Sequence, residues 1–272
     1  MLKPQFENGL HDITNDEYHG SQGVSRSALW LYKQSPKHYW HRYLNPDYTP
    51  PKPSAAFALG NLIHTLVLEP SEIDDRYFVM NKVSRATKVG KEAHANALHY
   101  AGHREIVMTD DMAAAQAMAK LVLNDDMAKG LFVGSDVEKS IYFTHEPTGL
   151  QCKVRPDAMI GGVITDLKTV KDGSYRPFQN SAFQYGYFLQ AAMIKAAVES
   201  LGVEFQKFIF YCVEKVEPYA CTYYLLDDEA LEYGEHLFNK LMGDYAESLK
   251  ADAWDSYEPK ILSIPHYAQY ED

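Results

Sequence analysis

Apolar positions change period along the chain, and each change marks a different kind of element. In FALGNLIHTLVLEP, residues 57–70, Leu59, Leu62, Ile63 and Leu66 recur at the i, i+3, i+4, i+7 spacing of one buried helix face, and Pro70 ends the run. Gly60 and His64 share another face, with the glycine expected to give room for close approach. Upstream, GVSRSALWLYKQSPKHYWHRYL reads as two short helices: Ser25 or Ser27 caps the first, and Ser35-Pro36 stops it and starts the next. Trp30, Tyr39, Trp40 and Tyr43 read as packing aromatics. NPDYTPPKPS, residues 45–54, is an extended connector, and an alanine-rich helix covers 112–125.

The period then falls to two. EKSIYFTH, LQCKVRPDAMI and VITDLKTV, separated by turns at Glu146–Gly149 and Gly161-Gly162, predict three strands of an antiparallel meander. A long helix from Phe183 to Leu201 follows, closed by Gly202. KFIFYCVE and ACTYYLL add two strands, and Asp227 or Asp228 caps a last amphipathic helix. This order predicts an α/β architecture, a mixed central sheet flanked by helices with an N-terminal helical elaboration. We expect a single domain over 1–272: a helical portion at 25–125, a sheet core at 136–226, and an acidic helix and tail at 227–272.

Composition narrows the classes. With 272 residues, 46% of them hydrophobic, the chain can bury a substantial core. No apolar run approaches the ~20 residues of a bilayer span and the start carries no signal-like segment, so a soluble cytoplasmic protein without membrane attachment is expected. Cys152, Cys212 and Cys221 are odd in number and form no CxxC pair, which argues for buried free thiols and against a disulfide framework, a zinc site or an iron-sulfur cluster. A net charge of -11 argues against nucleic acid until it is located. From Glu214 onward there are 14 acidic and 4 basic residues, whereas residues 1–213 carry 23 and 22. Between Lys82 and Arg104, Lys82, Arg85, Lys88, Lys91 and Arg104 stand with three histidines against one glutamate. That segment, with Lys88 as its candidate DNA contact, is either phosphate-contacting or a solvated basic surface.

The chemistry concentrates in KVRPDAMIGGVITDLKT, residues 153–169. A two-residue loop at Gly161-Gly162, both able to take positive φ, fixes the register. It sets Ile160 opposite Val163, Met159 opposite Ile164, Asp157 opposite Asp166 and Arg155 opposite Lys168, the four charged residues on one face. Like charges so placed destabilise a sheet, and a buried carboxylate pair needs a shared proton or a cation. The competing reading is a solvent-facing side on which Arg155, Lys168 and Lys153 neutralise the aspartates; Val154, Ile164 and Leu167 make the strands apolar enough to be central instead. Two carboxylates and a backbone carbonyl suit Mg²⁺, with Mn²⁺ substituting. Lys168 is placed to orient or deprotonate a water or to stabilise charge on a phosphate.

Arg155-Pro156-Asp157, eight intervening residues and Asp166-Leu167-Lys168 resemble the PD-(D/E)XK nuclease signature, in particular the RecB-type branch and its RecE-like (exonuclease VIII) members. GNLIHTLVLEP resembles that branch's upstream helix with its metal-binding histidine, SRSALWLYKQSPKHYWHRYL its N-terminal helical segment, and YGYFLQAAMIKAA its helix after the lysine, so the likeness spans roughly residues 25–195. The resemblance implies a PD-(D/E)XK nuclease core in which Asp157, Asp166 and Lys168 are catalytic. His64, Asp157, Asp166 and the Leu167 backbone carbonyl would hold one or two Mg²⁺ ions, and Glu138, opening the first strand of the meander, would be a further metal residue. Gln190 would contact DNA or support the site. Ile194 stands where relatives carry a tyrosine, with Tyr187 as the stand-in, and Arg155 would contact phosphate or pair with a carboxylate. The implied activity is 5′-to-3′ digestion of linear double-stranded DNA, leaving 3′ single-stranded tails for a RecT-like annealing protein, by a ring-like homo-oligomer, a tetramer, in a phage or prophage recombination system. The alternatives are a repair or restriction endonuclease, a non-catalytic DNA-binding protein on the same scaffold, and an unrelated metal-binding domain.

Overall fold

The computed structural model describes residues 6–49, 55–84 and 86–264, so the end of the expected connector (50–54) and Arg85 lie outside the described residues. The chain runs β1 (Gly9–His11), α1 (Asn15–Gly20), α2 (Arg26–Gln34), α3 (Pro36–Tyr43), α4 (Ala55–Leu68), a 3-10 turn, α5 (Ile73–Arg76), β2 (Tyr77–Met80), α6 (Lys88–Ala101), β3 (Glu105–Met108), α7 (Thr109–Asn124) and α8 (Asp126–Phe132). It continues β4 (Asp136–Val137), β5 (Ser140–His145), β6 (Leu150–Val154), β7 (Ala158–Ile160), β8 (Val163–Val170), α9 (Tyr175–Tyr185), α10 (Tyr187–Ser200), β9 (Lys207–Glu214), β10 (Cys221–Leu225) and α11 (Asp228–Ala251). The helix starts follow local chemistry: Ser25, Ser35 and Asp227 each accept from a backbone N–H of the first turn, and Pro36 sits where its missing N–H costs nothing.

A five-stranded sheet, ordered β10-β9-β8-β7-β4, forms the centre. Only β8 and β9 pair in parallel in it, and the other neighbours are antiparallel, so the sheet is mixed as expected. Both faces of β8 and β9 are covered. Ile164, Phe208, Phe210 and Cys212 pack towards α10, α11 and α2, whereas Leu167, Ile209, Tyr211 and Val213 pack towards α4, α7 and α8. Alternate residues thus face two cores, which is why these strands are apolar on both sides. Leu62 and Ile63 bring α4 down on the second face; Leu59 and Leu66 are partly buried beside them.

The expected meander is broken. Residues 150–160 form two strands rather than one: β6 pairs with β5 in a separate three-stranded sheet (β1-β5-β6), and β7 pairs with β8. Pro156, which has no N–H to donate, lies in the gap. The hairpin register is the expected one over Ile160–Val163, Met159–Ile164 and Ala158–Thr165, where the ladder ends. Its two glycines serve different purposes. Gly161 takes φ +54°, whereas Gly162 does not need a positive φ; a Cβ there would run into the Glu204 carbonyl. The predicted helix at 183–201 is also interrupted, at Gly186, which is left-handed (φ 70°, ψ 39°) and lies against Trp30 where any Cβ would strike the indole. Among the described residues no helix is long and apolar enough to cross a membrane. The three cysteines are free; Cys152 and Cys212 are buried and Cys221 is half-buried rather than buried.

Candidate metal centre and active site

Where β7 stops at Ala158, the edge of β8 beyond Thr165 loses its strand partner. Asp157 fills the gap with a side chain: the Leu167 N–H donates to its Oδ2 at 2.7 Å. N–H and C=O of one strand residue point to the same side, so the Leu167 carbonyl opens towards the same place. His64, on the face of α4 turned to β8, brings Nδ1 to 3.6 Å from Asp157 Oδ2. The expected role of Gly60 as a spacer is not needed, since a Cβ there would make only an ordinary 3.4 Å contact with Thr169.

Glu138 completes the group. It does not open a strand as expected but lies in the junction between β4 and β5, with φ +50°, its N–H donating to the Asp157 carbonyl at 3.1 Å. One ligand atom each of His64, Glu138 and Asp157 lies within 4.8 Å of the others. Burial, then the nearby Asp157 charge, pushes the Glu138 carboxyl up to about 7. Burial and the Asp166 charge raise Asp157 well above the usual carboxylate range. Burial holds His64 below the ordinary histidine value and outweighs the opposing pull of Glu138 and Asp166, so the ring is neutral and able to bind a metal.

Asp166 and Lys168 stand beside this group, on the β8 face turned to α10. Asp166 is 2% exposed, and Lys168 Nζ lies 2.5 Å from its Oδ2 as an ion pair without hydrogen-bond geometry, leaving that buried oxygen no oriented donor. Gln190 links the pair: its Nε2 donates to Asp166 Oδ1 at 2.5 Å and its Oε1 accepts from Lys168 at 3.2 Å. Burial acts to lower the lysine, but Asp166, Tyr187 and Asp157 outweigh it and raise its pKa, so the amine is an ammonium. Tyr187 presents its ring 4.4 Å from Nζ, a cation–π contact. Ile194 is 2% exposed in the core, so the place beside the lysine is taken by Tyr187.

Arg155 is not opposite Lys168. Past Pro156 it turns the other way, donating from Nε to Glu138 at 2.8 Å and from Nη1 to the Ile13 carbonyl and Ser140 Oγ. It therefore pairs with a carboxylate, and its arrangement with Ser140 and Ile13 was invisible in the hairpin pattern. Lys88, at the start of α6, is exposed and 4.0 Å from Glu92. The helix α6 packs on β2 and β3, away from the sheet that carries the site. A cleft of about 760 Å³ opens beside His64 and Glu138, and its walls hold eight carboxylate residues against three lysines and arginines.

The donor set fits a hard divalent cation. Burial raises both the Glu138 and the Asp157 carboxyls, the Asp157 charge adding to it at Glu138 and the Asp166 charge at Asp157, and the His64 ring beside them is neutral, a set of oxygen and nitrogen donors that a divalent ion would satisfy.

A family model described as "PDDEXK-like domain of unknown function" (DUF3799) matches residues 25–261. The crystal structure of a "Putative exonuclease" from Eubacterium rectale is similar to this chain with a TM-score of 0.63 at 16% identity, covering 94% of this chain and 96% of that one. At that identity the likeness shows a shared fold. The crystal structure of SSO0001 aligns over 81% of this chain and 85% of its own at 13% identity, with a TM-score of only 0.30. No curated protein matches.

Proposed function

Because the chain belongs to the PDDEXK-like DUF3799 family, we propose that it is a metal-dependent nuclease that hydrolyses DNA phosphodiester bonds. The observation that carries this reading is the convergence of His64, Glu138 and Asp157, with ligand atoms within 4.8 Å of one another, beside the buried Asp166–Lys168 pair. His64, Asp157, Asp166, the Leu167 carbonyl and Glu138 would hold Mg²⁺ or Mn²⁺, which would supply a nucleophilic water and neutralise charge on the phosphate.

The chain's own groups do the rest. Lys168 carries its proton at Nζ, which suits donation to a phosphate oxygen or the orienting of a water rather than general-base work. Gln190 and Tyr187 hold the ammonium in place from two sides. Arg155 fixes the Glu138 carboxylate at the rim of the site.

The finer reading is a 5′-to-3′ exonuclease on linear double-stranded DNA that leaves 3′ tails for an annealing protein, working as a ring-shaped homo-oligomer in the cytoplasm. It is supported by the RecE-like pattern of the motifs. Linear duplex labelled at either end, incubated with Mg²⁺ beside covalently closed circles, tests it. We expect release of 5′-end nucleotides, intact circles, and no digestion by Asp166→Ala or Lys168→Met. Digestion of closed circles would leave a nuclease but remove the exonuclease; undiminished digestion by Lys168→Met would remove the site. Light scattering on the full chain checks the tetramer.

A further inference from the structure

Tyr185 and Tyr187 flank the break between α9 and α10. In an uninterrupted helix, residues two apart lie about 200° around the axis and their side chains do not meet. Here the left-handed Gly186 reverses the turn, and the two rings come to a centroid separation of 6.1 Å with planes 33° apart. The inner ring, Tyr187, touches the Lys168 ammonium; the outer, Tyr185, is 51% exposed. An aromatic step thus leads from the candidate catalytic lysine to solvent.

The N-terminal helices beside that step carry charge of one sign. Arg26 Nη1 donates to the Tyr185 carbonyl at 3.2 Å, and Trp30 of the same helix packs on Gly186. Residues 18–46, which include α2 and α3, contain four lysines and arginines, three histidines and no acidic residue. Among the described residues Arg26, Lys33, Lys37 and Arg42 make no ion pair with a carboxylate. Lys33 and Arg42 lie instead over the rings of Trp30 and Tyr43, at 4.5 and 5.6 Å. On the other side of the site, the cleft beside Glu138 is rich in carboxylates and repels a phosphate backbone. A strand reaching the site therefore approaches over α2 and the α9–α10 junction. Unpaired cations interleaved with an exposed ring are the chemistry of a single-stranded nucleic-acid surface, where bases stack on aromatics and the backbone follows positive charge.

We propose that Tyr185 is a base-stacking residue for a single-stranded DNA end, and that Arg26 with the acid-free face of α2 and α3 carries the adjoining phosphates. The proposal rests on the nuclease reading and adds to it the place where the strand lies. The full chain is tested with a fluorescent oligothymidylate, in Ca²⁺ in place of Mg²⁺, and with the same strand carrying single abasic positions. Tyr185→Ala weakens binding roughly tenfold to hundredfold, whereas Tyr185→Phe stays within about twofold of wild type. An abasic residue at the stacked position weakens wild type by a similar factor and costs the Tyr185→Ala variant nothing more. Arg26→Ala lowers the slope of log affinity against log salt by about 0.7. Wild-type affinity in Tyr185→Ala overturns the proposal, as does a changed molecular mass in solution, which would assign the ring to a subunit contact. If wild type still digests linear DNA in either case, the nuclease reading stands without the stacking residue. If wild type neither binds nor digests DNA, both fall.

Discussion

Glu138 and Asp157 show how much of this site depends on protons. Both carboxyls hold protons more tightly in the folded chain than in the unfolded one, Glu138 up to about 7 and Asp157 well above its ordinary range, chiefly because they are buried. The folded state therefore binds more protons than the unfolded state, and metal-free stability is lost as pH rises from the ordinary carboxylate value through about 7. A divalent ion must displace those protons, so its affinity rises with pH over the same window, by about tenfold per pH unit for each proton released, and levels off above it. Calorimetry with Mn²⁺ at several pH values checks this, and Glu138→Gln flattens the slope by one proton; equal affinity at pH 6 and pH 8 would count against the site. Gln190 is the second residue whose part is measurable. Losing its contacts to both Asp166 and Lys168 should cost Gln190→Ala about 10- to 100-fold in kcat while the fold survives, since the group is only partly buried and supports the reacting groups. At this scale residue type and spacing within one hairpin single out Asp157, Asp166 and Lys168 as candidates, but the expected pairing of Asp157 with Asp166 does not form, because the ladder ends at Ala158–Thr165 and Asp157 accepts from the Leu167 N–H instead. The pairing of Arg155 with Glu138 was not legible, because it depends on where the chain turns after Pro156 and on a residue 17 positions away.

Elements were legible wherever their boundaries are made by local chemistry. The serine and aspartate caps at Ser25, Ser35 and Asp227 mark true helix starts, and the register between β7 and β8 follows from a two-glycine loop. What the sequence pattern missed is the split of residues 183–201 at Gly186. Helix α10 is apolar around much of its circumference, from Leu189 to Val198, so no phase change in its pattern announces a break. The break is set by Trp30, far away in the chain, and by the left-handed backbone that brings it close. Gly186→Ala combines a backbone strain of about 1–2 kcal/mol with displacement of the indole, so a loss of at least about 2 kcal/mol is expected in urea unfolding. The hairpin glycines separate in the same assay. Gly161→Asn, left-handed but open, costs under about 1 kcal/mol, whereas Gly162→Ala meets the Glu204 carbonyl and costs several times more. Equal losses at the two positions would mean that the loop, not the approach of residue 204, dictates the second glycine.

Across the whole molecule, charge is divided in a way that the net value of -11 conceals. Counting along the chain isolated the acidic C-terminal fifth and the basic run from Lys82 to Arg104, but linear counting cannot tell which basic run lies beside the site. Folding places Lys88 on α6, packed on the small β2–β3 pair, and places α2 against α10 and α11, beside Tyr187 and Lys168. The acid-lined cleft then closes off the opposite approach. Two basic faces are thus available to a polyanion, and the salt dependence of binding counts the phosphates each one meets, since every neutralised phosphate releases a fixed share of condensed counterions. The double substitution Lys33→Ala with Arg42→Ala is expected to lower the slope of log affinity against log salt by about 1.4 on single strands, and Lys88→Ala with Lys91→Ala to leave it unchanged. The reverse outcome would place the backbone over α6, at odds with the position of the Lys168 ammonium at the α10 side of the sheet. Equal, smaller losses from both pairs would mean that the polyanion spans the two faces, and a duplex reaching across the molecule would then replace the single strand as the species bound.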